Sequence, residues 1–285
     1  MGRFTLSALA GAALLAAPLG ALAADYPTPP VYVPPPVGFQ YDWYLKGYIG
    51  LAAQHFKGLE HPAFETPLFF EWLDEGQFDG VPLFGVGVGF RHSENLRFDL
   101  TAEYRAKSAF SALDRYDTDS NPPDFDGDPG PDWGTNHYTG KKQEILVLAN
   151  AYYDFNEIHG ITPYVGAGIG ASYNTIYDFV DENVPAAGGG WAPTGSKLSL
   201  AWALHAGASM QVNERLTLDF GYSFVSLGDA QTGPFQNLDP TVGCIANVPP
   251  DCVPMEFKGL YSHDFKVGAR WAFGHNQPSY VTAKY

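Results

Sequence analysis

Eight stretches of this chain alternate apolar and polar residues with a period of two. That is the spacing of a β-strand, whose successive side chains point to opposite faces. The clearest runs from Leu96 to Lys107. Leu96, Phe98, Leu100, Ala102, Tyr104 and Ala106 alternate there with Arg97, Asp99, Thr101, Glu103, Arg105 and Lys107. The longest runs from Phe257 to Phe273. Its odd positions, Phe257 through Tyr261, His263, Phe265, Val267 and Trp271 to Phe273, form an apolar and aromatic face, and Lys258, Ser262, Asp264, Lys266 and Arg270 form the other. The same pattern predicts strands over Trp43–Gln54, Pro82–Arg91, Lys142–Phe155, Ile161–Asn174, Leu198–Val212 and Leu216–Val225. Leu146 and Leu148 break the alternation of the fourth. In the second and fifth, the inward positions are mostly glycine, which leaves room for large side chains opposite.

The connections set the topology. His92 to Asn95, Asn156 to Gly160 and Asn213 to Arg215 are short turns. The other four connections are long loops of roughly 20 to 35 residues. Long and short alternate without exception, which a compact soluble domain seldom tolerates. A transmembrane barrel has this asymmetry, with short periplasmic turns and long outer loops. In a bilayer only a closed barrel satisfies every strand amide. The predicted fold is therefore all-β: a single eight-stranded antiparallel transmembrane β-barrel over residues 42–273, with four long extracellular loops and both termini periplasmic.

Charge sharpens this picture. The net charge of −15 argues against nucleic acid as a partner. The four long loops hold twenty Asp and Glu against Lys57, Arg115, Lys141 and Lys197, so they carry the whole excess. The predicted inward positions are close to neutral. Lys46, Arg97, Arg105, Lys107, Lys258, Lys266 and Arg270 face Asp99, Glu103, Glu144, Asp154, Asp219 and Asp264. Buried charges must pair, so these residues predict a cross-linked lumen. Eight strands enclose a space that side chains can fill, which disfavours a general diffusion channel.

The ends of the chain read differently. Residues 1–23 have the features of a secretory signal peptide: Arg3, an apolar run from Leu6 to Leu19, and the small-residue cleavage site Ala21-Leu22-Ala23. Residues 24–41 form a Pro-rich periplasmic arm, DYPTPPVYVPPPV over Asp25–Val37. In an extended polyproline conformation it would reach roughly 55 Å. Residues 274–285 are a periplasmic tail beyond the last strand. Export to an oxidising compartment predicts a disulfide between Cys244 and Cys252, the chain's two cysteines.

Four segments in this order resemble a known family. They are Trp43-Tyr44-Leu45-Lys46-Gly47, Asn150-Ala151-Tyr152-Tyr153-Asp154, Thr162-Pro163-Tyr164-Val165-Gly166-Ala167-Gly168-Ile169-Gly170, and the aromatic last strand. Together they resemble the eight-stranded outer-membrane barrels of the opacity-protein and porin-like surface-antigen group, in the form common in alphaproteobacteria. The resemblance covers about residues 40 to 274 and implies a structural surface antigen in the outer membrane of a Gram-negative cell. It implies outer-membrane lipid and lipopolysaccharide as surroundings, and barrel-assembly machinery that reads the last strand. The mature start Ala24-Asp25 resembles barrels attached to peptidoglycan through that terminus, which makes Ala24 a candidate attachment point. The family's last strand usually ends the chain; here twelve residues follow Phe273.

Other chemistry is weaker. Barrels that deacylate lipid A place His and Ser two residues apart, and no histidine here has a serine at that spacing. Ser262-His263-Asp264 puts neighbours on opposite faces, so no proton relay forms along it. The chain is read as a non-enzyme with no cofactor. Asp117-x-Asp119-x-Asn121 starts like a calcium loop, with Asp124, Asp126 and Asp128 following. Pro122 replaces the glycine such a loop needs, so this is at most a weak metal candidate. His55, His61 and His137, with Trp72, Trp133 and Tyr138, are the outer-loop residues that haem or a host ligand would use. The alternatives to a structural role are such a surface binder or a narrow porin-like channel.

Overall fold

The computed structural model describes residues 42–64, 70–117, 133–184, 188–238 and 252–273, all within one compact unit, Phe39–Tyr285. The predicted signal peptide, the Pro-rich arm with Ala24, Cys244 and the tail after Phe273 lie outside these residues, while Cys252 lies within them and is disulfide-bonded.

Eight long strands appear where the alternation predicts them. They are β1 (Asp42–His55), β2 (Val81–Arg91), β3 (Leu96–Asp117), β4 (Trp133–Asp154), β5 (Ile161–Val184), β6 (Gly195–Gln211), β7 (Leu216–Pro234) and β8 (Pro254–Phe273). Each pairs antiparallel with its neighbours in sequence. β8 then returns to β1, from Trp43 opposite Phe273 to His55 opposite Tyr261, and closes the ring. Closure leaves no edge of unpaired amides, as a bilayer demands. The short turns are held locally. Asn213 Oδ1 accepts from the amides of Arg215 and Leu216, both at 2.9 Å.

The faces follow the alternation. Leu51, Val86, Ile169, Leu198, Leu200 and Phe265 are each at least 60% exposed. A water-soluble sheet would bury such residues; here lipid is their solvent. The interior holds Arg97, Asp99, Arg105, Glu144 and Asp264, each at most 5% exposed.

Two expectations need correction. First, the long loops are partly sheet. β3, β4, β5 and β7 run nine or ten residues beyond their predicted outer ends. Gly58–Glu60 pairs with β8, Phe70–Phe78 with β3, and Gly188–Ala192 with β5. The barrel wall thus continues outward as a raised cup. The alternation breaks there because it changes phase. A β-bulge adds one residue to one strand and reverses the facing of everything beyond it. Register shifts occur between Arg105 and Ser108, between Thr139 and Lys141, and around Gly228. Gly228 and Gly259 take φ of 68° and 57°, left-handed values that a residue without Cβ adopts readily.

Second, the phase change moves two lysines. Lys107 and Lys258, predicted inside, lie outside. Beyond the β3 shift, Ser108 and Phe110 take the inward positions and Lys107 is exposed over the Tyr177 ring at 4.2 Å. Beyond Gly259, Phe257 and Met255 are buried inward, while Lys258 pairs with Glu256 and lies 3.6 Å from Glu60. Phe257, predicted to face lipid, is consequently a core residue.

Candidate functional site

The lumen is built from side chains on all eight strands. Small residues on one strand make room for large ones on the next. A Cβ at Gly85 would overlap the Tyr48 ring, so glycine there permits the tyrosine to lie across the lumen.

Near the periplasmic end, Arg97 Nε donates to Asp154 at 2.9 Å, and its guanidinium stacks 4.0 Å from the Tyr152 ring. Arg270 bonds Asp219, with Nη2 donating at 2.9 Å to Oδ1 and at 2.8 Å to Ser209. One step outward, Asp99 accepts from Lys46 at 3.3 Å, Tyr44 at 3.1 Å and Asn150 at 2.8 Å. His205 is held between Ser223 at 2.8 Å and Asn150 Oδ1 at 3.1 Å.

The densest group lies further out. Arg105 is fully buried and reaches Glu103 and Asp264, each at 2.7 Å. Glu144 stands 3.7 Å from it. Lys266 binds Glu103 at 2.7 Å, Lys142 binds Glu144, and Gln54 donates to Glu144 at 3.0 Å. Lys142 stands at the predicted start of the fourth strand, where its facing is not legible from the alternation; in the structure it lies within β4 and points inward. With Lys107 and Lys258 removed and Lys142 added, the lumen below the outer cup has six bases and six acids. The predicted neutrality is therefore met by a slightly different set of residues. Between the charged layers a cavity of about 40 Å³ is lined by Lys46, Tyr48, Glu103, Asn150, Tyr152 and His205 among others, room for a few waters. Another, of about 270 Å³, lies at the periplasmic end against Tyr44, Thr217 and Arg270.

Above the charges the filling becomes apolar. Phe78, Phe110, Phe179, Phe235, Met255 and Phe257 form one buried cluster, with Phe110 and Phe257 rings 5.0 Å apart. Leu146 and Leu148, the exceptions in the fourth strand's pattern, face inward and belong to it. Most of this aromatic cap was not legible, because Phe78, Phe110, Phe179, Phe235 and Met255 sit in the segments read as loops and Phe257 reads as a lipid-facing strand residue. The signal that marks it is the resumed alternation Ser108, Phe110, Ala112, Asp114 beyond the phase change.

At the outer end of the cup, Tyr138 donates to Asp114 at 2.6 Å, and Asp181 lies opposite Tyr138 in the β4–β5 ladder. Burial and the nearby Asp114 push Asp181 up to about 7. Burial likewise raises Asp114 and lowers His61.

Of the predicted haem or host-ligand residues, His61, Trp72 and Tyr138 meet around Phe64, with ring centroids 6.0, 5.4 and 6.1 Å from it. His61 also packs on Phe235, while His137 contacts Ser111 at 3.0 Å and His55 stacks on Tyr261 at 5.3 Å. His263 turns outward to Tyr222 at 2.7 Å, whereas Ser262 and Asp264 bond each other inside at 2.8 Å, so these three residues are divided as expected. Asp117 closes β3, while Asp119, Asp124, Asp126 and Asp128 lie outside the described residues. Among the described residues, no group of three metal-ligating side chains is present.

The chain belongs to the outer membrane protein beta-barrel domain family, which matches residues 7–273. It is therefore an outer-membrane protein of the Gram-negative type. It is similar to an uncharacterized protein of Brucella suis biovar 1, 28% identical over 272 residues, covering 86% of this chain and 89% of that protein. It is also similar to outer membrane protein PagN of Salmonella typhimurium, 29% identical over 96 residues, covering 32% of this chain and 38% of PagN. Among solved structures it is similar to OprG from Pseudomonas aeruginosa, with a TM-score of 0.44, 8% identity, and coverage of 82% of this chain and 96% of that one.

Proposed function

We propose that this protein is a closed structural barrel that displays a rigid β-cup as a surface antigen and contributes to envelope integrity. The observation that carries the reading is the filled lumen: twelve paired charges beneath an aromatic cap, with about 40 Å³ left between the charged layers. A hydrated ion needs a continuous polar path, and the apolar layer supports its absence. Purified protein in planar bilayers should give no conductance steps. Reproducible ohmic steps would establish the channel instead.

The finer reading adds a wall tether at Ala24, supported by the Ala24-Asp25 start and the stiff proline arm. Muramidase digestion of envelopes followed by mass spectrometry should find a muropeptide on the N-terminal peptide; an unmodified Ala24 rejects the tether. A haem-binding role has less support, since His61 is enclosed by aromatic rings and the other outer histidines lie apart.

A further inference from the structure

The bulges that separate the charged lumen from the aromatic cap also set what lies outside the wall. β3 and β4 shift register between Arg105 and Ser108, and β4 and β5 between Thr139 and Lys141. Asp178 on β5 takes a φ of 50° at the same place. The extra residues lie on β3 and β5, the two neighbours of β4, whose own alternation runs unbroken with Lys141 outward and Lys142 buried in the lumen. The bulges re-aim Lys107 and Asp178 to stand beside Lys141 on the outer face.

Lys107 lies over the Tyr177 ring at 4.2 Å, and Lys141 is opposite Tyr177 in the ladder. Lys141 is 3.0 Å from Asp178. No ion pair to Lys107 is present among the described residues, so the patch keeps one net positive charge. The contrast is on the other side of the barrel. There Lys197 and Lys258 contact Glu60, Asp229 and Glu256, and the acids outnumber the bases.

Below Lys107 and Lys141, towards the membrane, one polar row of Gln143 and Thr175 gives way to apolar outward residues. Tyr104, Ile145 and Tyr173 lie in one row across β3, β4 and β5. Next come Ala102, Val147 and Ala171, then Leu100, Ala149 and Ile169. Apolar and aromatic side chains beneath cationic groups fit a molecule with acyl chains and a phosphate. The extracellular end of an outer-membrane barrel meets that chemistry in the outer leaflet. The chain as a whole has a net charge of −15, which repels such an anion.

We propose that the outer face of β3–β5 is a seat for a phosphorylated, acylated glycolipid. Lys107 and Lys141 hold the phosphate as mobile point charges. Tyr104, Ile145 and Tyr173 border its acyl chains where they enter the membrane. The proposal rests on outer-membrane placement and is independent of whether the lumen conducts.

The test uses the full chain folded in detergent micelles and three probes: bisphosphorylated lipid A, dephosphorylated lipid A and phosphatidylglycerol. Folding of each variant is checked by heat-modifiable electrophoretic mobility. Lys107→Gln with Lys141→Gln should weaken lipid A binding about tenfold or more, the effect of losing two phosphate contacts. Dephosphorylated lipid A should bind the unaltered protein as weakly as intact lipid A binds that variant. Lys107→Arg with Lys141→Arg keeps the charge and should restore binding, and Lys197→Gln with Lys258→Gln should leave it unchanged. Undiminished binding by the Gln double variant overturns the proposal. So does equal loss in the Lys197/Lys258 variant, which removes the site, or phosphatidylglycerol binding as tightly as lipid A, which removes the glycolipid.

Discussion

Replacing Arg105 by Met should cost the barrel about 3–5 kcal/mol, because it leaves buried carboxylates without their main counter-charge. Arg105 is fully buried and touches Glu103 and Asp264 at 2.7 Å, with Glu144 at 3.7 Å. Its Nη1 also donates to Ser262 at 2.5 Å. Lys266 and Lys142 would remain to face three acids. The attraction in the intact site is large, but so is the cost of taking these groups out of water, so the net value of the cluster is smaller than the cost of breaking it. The double change Arg105→Met with Asp264→Asn removes charge from both sides and should recover part of the loss. Reversible urea unfolding in lipid vesicles measures each value. A single-variant cost below about 1 kcal/mol, the size of an exposed pair, would mean that water reaches the cluster freely. That result would weaken the closed-lumen reading as directly as a conductance step.

The sequence showed the barrel because its physics is local. Leu96 to Arg105 alternates perfectly, and the structure places every one of those side chains on the predicted face. The short turns and long connections were equally plain. What could not be read was the point where alternation changes phase. Lys107 and Lys258 were assigned inward by extending the count through Arg105 and through Gly259, and in both places the count gains a residue. A bulge depends on how two strands pair, and the sequence of one strand does not state its partner's register. The same gap hid Phe110, Phe179 and Phe257, whose burial follows from the new phase. The charge balance survived these errors for a physical reason: an interior with unpaired charge is too costly to keep, so Lys142 had to lie within it.

The opposite faces of β8 make the second test. Val267 is 51% exposed on the outward face, near the middle of the strand's membrane-level stretch from Tyr261 to Phe273. Its neighbour Lys266 points inward and binds Glu103 at 2.7 Å. Val267→Arg should therefore cost about 2–4 kcal/mol, the penalty for a cation facing lipid near the midplane of a barrel. Val267→Leu should be close to neutral, since it keeps an apolar surface against lipid. The same urea unfolding in vesicles reads both, with Arg at an outward position beyond the bulges, such as Ala109, as the control for merely adding charge. Ala109 lies on the exposed face of β3 beyond the Arg105–Ser108 shift, where water replaces lipid, and Arg there should change stability little. If Val267→Arg is as stable as the unaltered chain, the aromatic face of the last strand does not lie in hydrocarbon. If Ala109→Arg is instead the costly one, the membrane boundary sits above the bulges, and Lys107 and Lys141 stand below the headgroup level at which a phosphate could reach them.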